Sequence, residues 1–205
     1  MLSSSRALMI LLLPALLAAC DRQSQPKEQA NAAASGEVAA PSGEAQGGAT
    51  KEGAFSYTLD RSKAGTPAPD FAFLDPSGGE KTLQDFAGRP ILVNLWATWC
   101  TPCVAEMPTL DRIAAAQGDK GVAVLTISQD TGGMAAVKSF FDKHRLPHLP
   151  AYADPENRFG FHYATGSLPT SVLYDAQGKE MVRVIGAMDW EGGQAKSLLE
   201  AAARS

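Results

Sequence analysis

Cysteine and histidine are both scarce, with three of each in 205 residues. So few cysteines exclude a scaffold stapled by several disulfides, and an odd number leaves at least one thiol without an internal partner. Charge of one sign is scarce too. Lysine and arginine total 18 against 22 acidic residues, and the pI is near 5.4. No basic excess therefore exists to attract nucleic acid, and that class of partner is set aside. A membrane-length apolar run is missing. Residues 7–19 are apolar but number only 13 and contain Pro14, whereas a spanning helix needs about 20. No internal repeat is present. What remains is an ordinary globular composition, 45% apolar, in a length that suits one domain or at most two small ones.

The cysteines divide by position. Cys20 stands alone at the end of the short apolar stretch, which Arg6 precedes. A positive start, an apolar run and small residues at its end predict a secretory signal peptide over 1–19. Leu17-Ala18-Ala19-Cys20 resembles the lipobox of bacterial lipoproteins. That resemblance implies that Cys20 is lipidated and becomes the new N-terminus, and Asp21 resembles a signal for retention at the inner membrane. The competing reading is an ordinary signal peptide with a cysteine nearby. Residues 21–54 hold one larger aliphatic residue, Val38, with no aromatic before Phe55. Such a segment buries too little apolar surface to offset its ordering entropy, so 20–54 is expected to be a disordered, lipid-anchored tether. It would reach about 30 Å. A single folded domain is expected over 55–205.

Within that domain the pattern alternates. Residues 70–74 read as a half-buried strand followed by a turn at 76–79. Residues 90–96 are nearly continuous in apolar side chains, as in a central strand covered on both faces. Val104, Met107, Leu110 and Ile113 recur at three-residue steps and predict a helix over 101–116, kinked at Pro108. A strand is expected at 122–128 and a helix at 134–144. Strands at 169–174 and 181–185 should join across Gln177-Gly178, ahead of a last helix over about 189–204. This order argues for one α/β domain with a mixed sheet.

Cys100 and Cys103 form a C-x-x-C where the 90–96 strand gives way to the helix. A sulfur at a helix N-terminus meets unpaired N–H groups and the positive end of the helix dipole, which favour the thiolate, the form that attacks disulfides. Cys100 is expected to be the exposed attacking thiol. Cys103, one turn further in, is expected to be more buried and to resolve the mixed disulfide. Pro102 lacks an N–H that the first turn would leave unpaired anyway. Other uses of the pair fit less well. A zinc site needs two further ligands, and His144 and His148 lie about 40 residues downstream with Pro147 between them. Haem attachment needs histidine directly after the second cysteine, where Val104 stands. A structural disulfide closing so short a loop would add little stability.

Residues 91–110, with Trp99-Cys100-Thr101-Pro102-Cys103 at their centre, resemble the active-site segment of thioredoxin-fold proteins. They most resemble the TlpA/ResA-like group of membrane-anchored, extracytoplasmic thiol-disulfide oxidoreductases. The resemblance covers about 65–204. Gly65-Thr66-Pro67-Ala68-Pro69-Asp70-Phe71 is similar to the group's entry segment, Gly166-Ser167-Leu168-Pro169-Thr170 to its cis-proline loop, and Gly178 and Gly186 to glycines of its terminal hairpin. It implies an α/β thioredoxin fold, a mixed central sheet flanked by helices with an N-terminal strand extension. It implies that Pro169 is cis and that the backbone of Leu168 pairs with a substrate strand. With Trp99, Thr101, Pro102 and Pro169, Leu168 would form the substrate-binding rim. Asn94 takes the place of a buried aspartate found in thioredoxins. Glu106 matches a glutamate placed near the cysteines, able to raise a thiol pKa and relay a proton; the plainer reading is a solvated helix face.

The implied activity is that of a periplasmic, lipid-anchored, monomeric disulfide reductase. Its only redox group would be the Cys100–Cys103 pair, with no metal. Its partners would be protein disulfides and a transmembrane thiol donor of the CcdA/DsbD kind. Family members serve cytochrome c maturation or the assembly of cytochrome oxidase copper sites. Two rivals are a thiol peroxidase and a copper-delivery protein. The peroxidase pattern P-x-x-x-T/S-x-x-C would need proline and threonine or serine where Val93 and Ala97 stand. Copper carriers of this fold space their cysteines as C-x-x-x-C. His144, His148 and His162 read as surface or packed residues.

Overall fold

The apolar run ahead of the C-x-x-C forms the centre of the fold. The computed structural model describes residues 49–205, so the signal peptide, Cys20 and most of the tether lie outside the described residues. In chain order the elements are β1 (Thr50–Glu52), β2 (Phe55–Asp60), β3 (Phe73–Leu74), β4 (Glu80–Lys81), β5 (Ile91–Trp96), α1 (Thr101–Gln117), β6 (Ala123–Ser128), α2 (Gly133–His144), β7 (Tyr152–Ala153), α3 (Arg158–Tyr163), β8 (Thr170–Tyr174), β9 (Glu180–Ala187) and α4 (Gly193–Ala203). They build a nine-stranded mixed sheet in the order β1-β2-β9-β8-β5-β6-β7-β3-β4. β5 runs parallel to β6 and antiparallel to β8, so the strand that delivers the motif is paired along both edges.

Every residue of β5 is buried, and successive side chains point to opposite faces. Leu92 and Trp96 join a core with Met107, Leu110 and the α2 residues Phe140 and Phe141. Ile91, Val93 and Leu95 join a second core with Phe159, Tyr163 and Val172. Asn94 shares the first face by this alternation, which aims a polar side chain at α1. The Trp96 ring lies 4.8 Å from that of Phe140 and 5.8 Å from that of Phe141.

The folded part begins earlier than residue 55. Thr50–Glu52 pairs antiparallel with residues 55–57, turning at Gly53 with φ 60°. The Tyr57 hydroxyl donates to Glu52 Oε2 at 3.3 Å. This pairing adds a strand to a sheet edge, and backbone bonds achieve that without apolar composition. β2 in turn lies against β9, where Gly186 has φ 101° and a Cβ would collide with the Ser56 carbonyl. The strand expected over 70–74 shrinks to Phe73–Leu74. Phe71 turns its ring edge to Phe159 and His162 instead, and Pro67 and Pro69 have no N–H for a ladder. α1 runs unbroken across Pro108, which forfeits only the bond to the Val104 carbonyl. The last helix starts at Gly193 because residues 188–190 are tied down elsewhere: the N–H groups of Met188 and Trp190 donate to Glu106 and Thr109 on α1.

Candidate active site

Cys100 is the N-cap of α1. Its Sγ accepts the Cys103 backbone N–H at 3.3 Å, and the two sulfurs are joined in a disulfide with Cα atoms 5.3 Å apart. The pair sits where the sequence places it, yet the exposure differs from expectation. Cys103 is fully buried, and Cys100 keeps only 5% of its surface. Bonding to Cys103 and capping the helix turn its sulfur inward. What surface remains opens into a cleft of about 760 Å³. Trp99, Thr101, Pro102 and Leu168 line that cleft as well. Leu168 and Pro169 are joined by a cis peptide bond, and both line a second cavity of about 370 Å³ on which Pro102 also borders. Four of the rim residues named from the resemblance thus line the cleft that exposes Cys100, and Pro169 lines the second cavity.

The turn carrying the motif is held by a residue the sequence reading missed. Asp130 accepts the Thr98 N–H at 2.8 Å, the Thr98 hydroxyl at 2.8 Å and the Ser128 hydroxyl at 2.7 Å. The signal for it was topological: Asp130 follows β6, whose C-terminal end lies beside that of parallel β5. Ligand sites of open α/β sheets form at such strand ends.

Glu106 lies one turn beyond Cys103 and is completely buried, so it is not a solvated helix face. Its Oε1 accepts from Asn94 Nδ2 at 2.7 Å and its Oε2 from the Met188 N–H at 3.0 Å. Asn94 Nδ2 also donates to Ser171 Oγ at 2.9 Å, which links β5, α1 and β8 through one amide, while its Oδ1 has no partner. Burial drives the Glu106 carboxyl up from 4.5 to about 8, against the opposing pull of the Met188 N–H and Asn94. Trp190 contributes weakly as a nearby N–H dipole, because its Nε1 makes no hydrogen bond. A carboxyl poised near neutrality one helical turn from Cys103 suits proton transfer.

The histidines are engaged elsewhere. His144 stacks on Phe140 at 4.0 Å, His148 Nδ1 pairs with Asp111 Oδ2 at 3.0 Å, and His162 meets Phe71 edge-on. On the far side of β8, Arg183 Nε donates to Glu180 Oε1 at 2.6 Å, and its Nη1 donates to the Tyr163 carbonyl at 2.9 Å. Both charged side chains of that pair are buried.

Comparison with known proteins places these features in company. Residues 63–201 match the Redoxin family. The chain is 32% identical over 142 residues to the thiol-disulfide oxidoreductase ResA of Bacillus anthracis, covering 65% of this chain and 81% of that protein. The putative thiol:disulfide interchange protein DsbE of Chlorobium tepidum superposes with TM-score 0.61 at 26% identity, over 68% of this chain and 97% of that one. The exposed lipoprotein thioredoxin Etrx1 of Streptococcus pneumoniae superposes with TM-score 0.56 at 28% identity, over 64% and 99%.

Proposed function

The chain belongs to the Redoxin family, among the ResA-like thiol-disulfide oxidoreductases of thioredoxin fold, and from that premise we propose that it reduces protein disulfides outside the cytoplasm. The observation that carries this reading is the Cys100–Cys103 disulfide at the N-terminus of α1, opening into a cleft bordered by Leu168. In the reduced protein the Cys100 thiolate attacks one sulfur of a partner disulfide, forming a mixed disulfide and releasing the partner's second sulfur as a thiolate. The Cys103 thiolate then attacks Cys100 Sγ, closes the internal disulfide and expels the first partner sulfur. Two electrons and two protons pass from the protein to its partner. The ionised fraction of Glu106 takes the proton from Cys103 as the thiolate forms, so thiol and carboxyl titrate as one coupled site. The backbone of Leu168 pairs with the partner strand.

The oxidised pair is re-reduced by a membrane dithiol carrier of the CcdA/DsbD kind. Removal of a signal peptide at 1–19 leaves a lipid on Cys20 that keeps a monomeric domain close to that donor, on the periplasmic side of the inner membrane. The likeness to a streptococcal exposed lipoprotein supports the lipid anchor. Among the described residues no helix is long and apolar enough to cross a membrane. The partner belongs to cytochrome c maturation or to copper-site assembly in cytochrome oxidase. Equilibration against a dithiothreitol couple tests the direction. A reductant gives a potential near that of thioredoxin, about −270 mV, and a value as oxidising as about −120 mV refutes the proposed direction.

A further inference from the structure

The thiol chemistry uses nothing from α3, yet α3 supplies a wall of the cleft that exposes Cys100: Gly160 and Phe161 line it. This short helix is held along its buried side. Phe159 is fully buried, with its ring edge-on to Phe71 at 5.8 Å and to Phe73 at 5.9 Å. Its N–H donates to Asp154 Oδ2 at 2.9 Å, and the Gly160 N–H donates to Gln129 Oε1 at 3.3 Å. Tyr163 is buried with its hydroxyl 2.8 Å from that of Tyr174, and its carbonyl takes the Arg183 bond. The helix is bracketed by two left-handed residues that are not glycine, Asn157 at φ 56° and Ala164 at φ 51°, and both line the cleft. Backbone held in such conformations is found where the surrounding structure over-determines it, often at ligand clamps.

All this rigidity presents an aromatic ring to water. Phe161 is 76% exposed and Trp99 is 71% exposed; they are the two large apolar side chains left exposed among the described residues. Both stand on the cleft that holds Cys100, and no side chain lining that cleft is charged. Exposed aromatic side chains on a preorganised backbone are the usual anchors of protein interfaces, because little conformational freedom is lost when they are covered.

We propose that Phe161 and Trp99 are the apolar anchors of a polypeptide-docking surface. Its occupant is a partner segment that carries a bulky aliphatic or aromatic side chain and no charge beside its disulfide. The inference rests on the reading of Cys100 as the attacking thiol, because the surface is continuous with that sulfur. It adds a side-chain preference that the chemistry alone does not require.

The test uses two synthetic peptides, each closed by one disulfide, with leucine flanking the cystine in one and aspartate in the other. Bis(2-hydroxyethyl) disulfide, which has no side chains, is the third substrate. The reduced wild-type protein is expected to reduce all three, with kcat/KM about tenfold higher for the leucine peptide than for the aspartate peptide, equivalent to about 1.4 kcal/mol. In Phe161→Ser that ratio should fall to about one, and Phe161→Leu should restore most of it. A ratio taken within one variant is insensitive to a general loss of folded protein. If the wild type reduces bis(2-hydroxyethyl) disulfide but treats the peptides alike, or if Phe161→Ser keeps the tenfold ratio, the inference is overturned. Vesicles of phosphatidylcholine that bind the wild type but not Phe161→Ser would assign the pair to a lipid surface and overturn it as well. Failure of the wild type to reduce any of the three disulfides refutes the reductase reading itself.

Discussion

Replacing Glu106 by glutamine keeps the shape of the side chain and removes its titration. The carboxyl is completely buried and its pKa is raised from 4.5 to about 8, chiefly by burial. Between those values the folded protein holds a proton that the unfolded chain has released, so unfolding sheds a proton and stability falls as pH rises. The penalty is absent below about 4.5, complete above about 8, and amounts to about 5 kcal/mol across the window at 1.36 kcal/mol per pH unit. Glutamine has its own constant cost. Both present partners, Asn94 Nδ2 and the Met188 N–H, are donors, so its amide nitrogen must face one of them, at about 1–3 kcal/mol. That cost does not vary with pH, whereas the carboxyl's does. The assay is urea unfolding of oxidised wild type and Glu106→Gln at pH 5, 6, 7 and 8. The variant should gain on the wild type by about 1.4 kcal/mol per pH unit. Parallel pH profiles would show that Glu106 is ionised throughout, and would refute its proposed part as a proton carrier near neutrality.

Two further substitutions probe the frame of the site. Asp130→Ala removes the acceptor of three bonds around the Thr98 turn, and leaving those donors unpaired should cost about 1–3 kcal/mol, read as a lower urea midpoint. The same variant should slow iodoacetamide alkylation of reduced Cys100 if the turn presents that thiol, and an unchanged rate would deny Asp130 a positioning role. Arg183→Met strands the buried Glu180 carboxylate and should destabilise by about 3–5 kcal/mol, most of which the double variant Glu180→Gln, Arg183→Met should recover. A double variant as unstable as the single one would mean that the loss lies in packing rather than in the unpaired charge.

The parts of the fold that could be read from the sequence are those in which local pattern and tertiary role agree. β5 is an apolar run buried on both faces, α1 carries apolar residues at helical spacing, and β8 and β9 join across a Gln-Gly turn. The C-x-x-C and its position at a strand-to-helix junction were equally legible. The misses share a cause, because each depends on a partner distant in sequence. β1 exists because β2 offers it an edge, in a stretch whose composition reads as tether. Residues 70–72 leave the extended ladder because Phe71 finds the Phe159 and His162 rings. Asp130 matters only once β6 lies beside β5. The low exposure of Cys100 follows from its capping geometry, and the exposure of Phe161 was illegible because its helix is too short to show periodicity. Glu106 shows the opposite case: a charge on a helix reads as solvated until Asn94, Met188 and Trp190 are seen to close over it.

The central claim is that Cys100 attacks and Cys103 resolves. It is met most directly by a Cys103→Ser variant expressed in cells that contain the natural partner. The variant should accumulate as a mixed disulfide through Cys100, and mass spectrometry of the trapped species should show one partner cysteine joined to that sulfur. A variant that traps nothing through Cys100 while retaining wild-type disulfide reduction would contradict the assignment of both roles.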